Sequence, residues 1–166
     1  MKVIFIDIDG VLNSMSCKAK IEGLPFVEDE KILLLKEIID YTGAKVVLSS
    51  TWRYGWYAME HIEHPDESDL RNIRMFKALC DKLQKFGIEL LGYTEDFGRC
   101  GEEISACLKD WQGEPIESYV VLDDMGGDEI RPHCKYLVQT NMTHGLQANC
   151  IKQVLKILDK NSANRS

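Results

Sequence analysis

The sequence predicts an α/β domain organised around a parallel sheet, and three observations lead there. Five short β-type runs alternate with stretches of helical periodicity along the 166 residues. Three of those runs are almost continuously apolar, as strands covered on both faces must be. Acidic or hydroxyl residues stand directly after three of them, and a parallel sheet gathers such strand ends along one edge, where ligands bind.

The β-type runs are 3–6, 45–48, 88–91, 119–122 and 135–139. Between them, 29–41 carries apolar residues at 32, 33, 35, 38 and 39, with Gly43 as a C-terminal stop. The segment 69–86 repeats this spacing with Leu70, Ile73, Phe76, Leu79, Cys80 and Leu83, and ends at Gly87. Shorter helices are predicted over 102–111 and 148–158, the latter followed by a polar, frayed tail over 159–166. Two connections exceed what β-α-β economy needs. Residues 14–27 read as a flap-like insert, and 53–68, aromatic and then acidic, read as a loop near the same edge. No repeat, low-complexity tract or linker divides the chain, so one domain over 1–166 is expected.

With 45% apolar and 28% charged residues the chain can bury a core without staples. The N-terminus opens straight into a strand, and no apolar run approaches the ~18 residues of a membrane span, so a cytoplasmic location without membrane partners is expected. The six cysteines form no Cys-x-x-Cys pair and read as reduced, packed thiols. A net charge of −7 argues against non-specific binding along nucleic acid, which needs many Lys and Arg contacts to phosphates. It leaves open recognition of a single phosphorylated end.

The chemistry lies after the strands. Asp7 and Asp9 follow the first, Ser49, Ser50 and Thr51 the second, and Asp123 and Asp124 the fourth. Carboxylates gathered without a cation would repel one another, and hard oxygen ligands of this kind suit Mg²⁺. A carboxylate becomes a competent nucleophile toward phosphorus when a metal aligns both partners and neutralises charge. Asp7 at the strand tip is the candidate nucleophile. Asp9, two residues on, is placed to act as the acid and base, and its carbonyl is a further candidate ligand. Gly10 permits the sharp turn that leaves the strand. Trp52 and Arg53, with the aromatics behind them, are candidate substrate contacts that either stack on a base or pack the flap.

The runs Ile4-Phe5-Ile6-Asp7-Ile8-Asp9-Gly10-Val11-Leu12-Asn13, Val47-Leu48-Ser49-Ser50-Thr51-Trp52-Arg53 and Val121-Leu122-Asp123-Asp124 resemble the ordered motifs of the haloacid dehalogenase-like (HAD) superfamily. Within it they are similar to a subgroup found in RNA-repair proteins. The resemblance implies a three-layer Rossmann-like HAD fold with a five-stranded sheet in the order 5-4-1-2-3 and at most a minimal cap. It implies an Mg²⁺-dependent phosphatase with Asp7 as nucleophile, Asp9 as acid/base, Ser49 or Ser50 as phosphate-binding hydroxyl, and Asp7, Asp9, Asp123 and Asp124 around the metal. For the family's basic residue the matching position is Arg99, with Lys109 as the alternative. An open site of this kind implies phosphorylated nucleic-acid ends or nucleotides as substrates; a small-metabolite phosphatase and an inactive interaction module are the rival readings. A receiver domain of a signalling system is disfavoured, because the third strand carries no acid at its tip.

Overall fold

The computed structural model describes residues 1–163. In chain order the elements are β1 (Lys2–Ile6), β2 (Lys20–Ile21), β3 (Leu24–Pro25), α1 (Asp29–Thr42), β4 (Lys45–Leu48), α2 (Arg53–His61), α3 (Glu67–Gln84), β5 (Leu90–Tyr93), α4 (Cys100–Lys109), β6 (Ser118–Asp123), β7 (Leu137–Gln139) and α5 (Ala148–Ala163). The main sheet has the order β5-β4-β1-β6-β7, all parallel. Once the separate β2–β3 hairpin is left out of the count, this is the expected 5-4-1-2-3, read from the opposite edge. The resemblance to a Rossmann-like HAD fold holds.

Strand alternation divides the core into two sides. Ile4, Ile6, Val46, Leu48, Val120 and Leu122 point to one face, under Ile32, Leu35 and Ile38 of α1, Leu79 and Leu83 of α3, and Val154 and Leu158 of α5. Val3, Phe5, Val47 and Val121 point to the other, against Ile104 of α4 and Ile130. Helices on both faces make three layers and explain the continuous apolar runs of the central strands. Each large aliphatic or aromatic side chain fully buried here contributes roughly 1.5–3 kcal/mol.

The structure corrects several sequence expectations. The predicted loop 53–68 is mostly helix: α2 occupies its first half and α3 begins at Glu67. A capping box sets that beginning, with the Asp69 amide donating to Asp66 Oδ1 at 2.9 Å and the Asp66 amide to Asp69 Oδ2 at 3.0 Å. The interior Gly55 of α2 is tolerated because α3 crosses so closely there. A Cβ at Gly55 would lie 2.1 Å from the Asn72 carbonyl oxygen. The third sheet strand sits two residues later than expected, at Leu90–Tyr93, and α4 begins at Cys100 rather than 102. Helix α5 runs on to Ala163, so the expected frayed tail is helical from 159 to 163. Its last residues, 164–166, lie outside the described residues.

The insert 14–27 carries the short hairpin β2–β3, the minimal cap expected. Its tip is tied to α3, where Arg74 forks onto the Glu22 carboxylate and Arg71 donates to the Glu22 carbonyl. Among the described residues, no helix is long and apolar enough to cross a membrane.

Candidate active site

Parallel pairing aligns Ile6 with Leu48 on one side and with Leu122 on the other. One residue further along, Asp7, Ser49 and Asp123 therefore emerge level at the carboxyl edge of the sheet. Oxygen atoms of Asp7, Asp123 and Asp124 lie within 4.8 Å of one another. The Ile8 amide donates to Asp7 Oδ1 at 2.7 Å, and the Met125 amide to Asp123 Oδ1 at 2.8 Å. Gly10 makes the cluster possible. Its φ is +72°, and a Cβ there would come within 2.8 Å of the Asp124 Cβ.

The electrostatics of this cluster are those of acids short of countercharge. Burial, with Asp123 and Asp9 nearby, pushes Asp7 up to about 7, against the pull of hydrogen bonds from the Ser50 hydroxyl and the Ile8 amide. Burial and Asp124 likewise push Asp123 up to about 6. Asp124 is also raised, by burial and by Asp9. Three converging hard-oxygen donors whose ionised forms lack a partner are the donor set that suits Mg²⁺, and a divalent ion there would return them to the carboxylate form.

Asp9 is held apart from the cluster, by side chains whose role the sequence reading missed. Trp52 Nε1 donates to Asp9 Oδ2 at 3.0 Å and Asn13 Nδ2 to Asp9 Oδ1 at 2.8 Å. Asn13 is fully buried; its Oδ1 accepts the Gly10 amide at 2.9 Å, and its Nδ2 also reaches the Pro25 carbonyl. Trp52 is stacked on Phe26 of the insert, with centroids 6.3 Å apart. Both oxygens of Asp9 are thus fixed, and its carboxyl plane is set by the turn, the insert and the residue after β4. Only Asn13's place at the end of the Asp-x-Asp-Gly run hinted at this.

The remaining predicted residues fall as follows. The Ser50 hydroxyl lies on the Asp7 side and lowers its pKa, while Ser49 Oγ lies 3.1 Å from Cys100 Sγ, which in turn donates to Asp123 Oδ2 at 3.5 Å. Burial pushes the Cys100 thiol up to about 12, helped by the Asp123 and Glu103 charges, so it bridges these groups as a neutral donor. Arg99 sits at the N-terminus of α4 beside Cys100, with its side chain exposed. Lys109 lies in the last turn of the same helix, roughly 14 Å away at 1.5 Å per residue, and is removed from the site. Arg53 is only 6% exposed and turned inward. It pairs with buried Glu103 at 2.9 Å and with Asp96 at 3.1 Å, and donates to Thr94 Oγ1 at 2.9 Å. Trp52 donates to Asp9 and Arg53 is held in this ion-pair network. Asp128, beyond the Asp123-Asp124 pair, is exposed and paired with Arg131.

A Rossmann-like sheet here carries converging acids at the carboxyl ends of its central strands, the edge where sheets of this class bind ligands. The chain belongs to the family described as the HAD domain in Swiss Army Knife RNA repair proteins, whose model matches residues 3–151. No curated protein is similar enough to the chain to be matched.

Proposed function

We propose that the protein is an Mg²⁺-dependent phosphomonoester hydrolase that works through an aspartyl-phosphate on Asp7, with phosphorylated nucleic-acid ends or nucleotides as substrates. One observation carries the reading: the nucleophile candidate lies in a three-acid cluster, while the acid/base candidate is pinned outside it by two neutral donors.

Asp7, Asp123 and Asp124, with the Asp9 carbonyl, are the groups that would hold Mg²⁺. When bound it neutralises the carboxylates and the phosphate, which otherwise repel. Asp7 Oδ1 is occupied by the Ile8 amide, which leaves Oδ2 to form the bond to phosphorus. Ser49 and Ser50 hydroxyls, with Arg99, bind the phosphoryl oxygens. Asp9 gives a proton to the departing oxygen, and the alcohol leaves. The resulting carboxylate then takes a proton from water, whose oxygen attacks the phosphorus of the aspartyl-phosphate. Inorganic phosphate is released and Asp7 restored. Trp52 and Asn13 keep the Asp9 carboxyl in one orientation through both proton transfers.

A small-metabolite phosphatase is the second reading, favoured by the net charge of −7 and the lack of a basic track. Phosphate release from an aryl phosphate, from 3′- and 5′-mononucleotides and from end-phosphorylated oligonucleotides, with and without Mg²⁺, tests both. The expected result is Mg²⁺-dependent turnover abolished by Asp7→Asn and fastest on nucleotides or nucleic-acid ends. Wild-type protein inert on every one of these substrates with Mg²⁺ overturns the enzyme reading.

A further inference from the structure

A cavity of about 480 Å³ lies apart from the acidic cluster. It opens at the end of β5, two strands outward from β1 along the same carboxyl edge, and its lining includes Tyr54, Tyr57, His61, Tyr93, Glu95 and Asp96, with Arg53 and Thr94 behind them. The Thr94 amide donates to the Leu48 carbonyl at 3.0 Å, so this wall adjoins the strand end that presents Ser49 and Ser50.

Three features of the lining narrow what it can hold. Two of its rings, those of Tyr54 and Tyr93, are anchored at their hydroxyls. Tyr54 donates to Asp96 Oδ2, and Tyr93 donates to Glu60 Oε2 at 2.9 Å while resting against Trp56. Tyr57 leans on His61, with centroids 4.6 Å apart, and is 51% exposed. The exposed ring of Tyr57 beside the half-buried, anchored ring of Tyr93 forms a platform for a flat ring. The charge of the lining is the second feature. Arg53 is already matched by Glu103 and Asp96, and Glu95 adds a further acid, so a phosphate group is repelled here. A neutral heterocycle carrying N–H donors is not. Volume is the third: 480 Å³ lies within the usual range for small-ligand sites.

We infer that this cavity is a nucleobase subsite: it stacks the base of the leaving nucleotide on Tyr57 and Tyr93 while the scissile phosphate sits at Asp7. The inference rests on the phosphatase reading for its phosphate anchor. The two stand or fall separately in the following experiment. Binding to the full-length Asp7→Asn protein with Mg²⁺ is measured by tryptophan fluorescence, since Trp56 touches Tyr93. The ligands are 3′- and 5′-adenosine and guanosine monophosphates, ribose 5-phosphate and phenyl phosphate. Wild-type turnover of the same compounds is measured alongside.

Nucleotides bind more tightly than ribose 5-phosphate, and Tyr57→Ala lowers that preference on the order of 5- to 150-fold, the worth of one stacked base. Tyr57→Trp restores it, which separates stacking from a folding defect. The subsite is overturned if nucleotides and ribose 5-phosphate bind equally or not at all, or if Tyr57→Ala leaves their ratio unchanged. It is also overturned if phenyl phosphate loses as much as the nucleotides, which would make the cavity a general aromatic slot. Tyr57-dependent nucleotide binding without turnover of any compound by the wild type upholds the subsite and removes the phosphatase.

Discussion

Replacing Asp7 by Asn removes the charge that the fold tolerates least, and this predicts a protein that is inactive yet more stable when cation-free. Burial and Asp123 raise Asp7 to about 7 from an ordinary 3.8. A carboxyl whose folded pKa lies above its unfolded one binds the extra proton in the folded state. Stability therefore falls as pH rises from about 3.8 to about 7 and stays low above it. A gap of about three pH units corresponds to roughly 4 kcal/mol at 1.36 kcal/mol per unit. Water at the mouth of the site reduces this to on the order of 2–3 kcal/mol. For a chain of this length each kcal/mol moves Tm by about 2–4 °C, so Asp7→Asn melts roughly 4–12 °C above wild type at pH 8 with a chelator present. The advantage shrinks steadily as pH is lowered toward 4. Saturating Mg²⁺ at pH 8 raises wild type far more than the variant, because only wild type regains a partner for the Asp7 charge. Thermal melts of both proteins at pH 5 and pH 8, with chelator or Mg²⁺, decide it. A variant that melts at or below wild type at pH 8 in chelator, or whose advantage is the same at both pH values, refutes the account of the cluster as cation-starved.

Four further outcomes are expected. Trp52→Phe keeps the ring on Phe26 but loses the bond to Asp9 Oδ2, and should lower kcat about 10- to 100-fold with little change in KM for an aryl phosphate. Gly10→Ala meets both the φ of +72° and the Asp124 side chain, and should cost about 2 kcal/mol in urea melts and weaken Mg²⁺ binding. Arg53→Met strands buried Glu103 and should cost about 3–5 kcal/mol, most of it recovered in the Arg53→Met, Glu103→Leu double variant. Arg99→Ala should reduce phosphatase activity at least tenfold where Lys109→Ala stays within about twofold, since only Arg99 lies at the end of α4 that meets the acids.

The parts of the fold that depend on short-range pattern were legible in advance. The apolar strands of the sheet, the acids beyond them and the Gly43 stop all follow from periodicity and residue type. Helix α2 was not legible, because its start has no capping side chain on Trp52 and its third residue is a glycine. Only the close passage of the Asn72 carbonyl explains that glycine, and nothing local announces a helix 17 residues away. The site divides in the same way. Asp7, Ser49, Ser50, Asp123 and Asp124 converge because parallel register is regular. From the sequence, Arg53 reads either as a substrate contact or as part of the packing behind the second strand. Its partners Thr94, Asp96 and Glu103 come from the end of β5 and from α4, and only the assembled structure turns it inward. Asn13 and Cys100 were hidden for a related reason: a polar side chain's role is set by what folds against it.

The insert has two ends with different obligations. At its base, Pro25 and Phe26 meet Asn13 and Trp52, the two side chains that clasp Asp9. At its tip, Glu22 is bonded to Arg71 and Arg74 of α3. Length can therefore be added between Ile21 and Leu24, up to a whole lid, without disturbing the clasp on Asp9. The hairpin is a splice point at which this scaffold can acquire a new roof over the acidic edge of its sheet, while Asp9 stays in register.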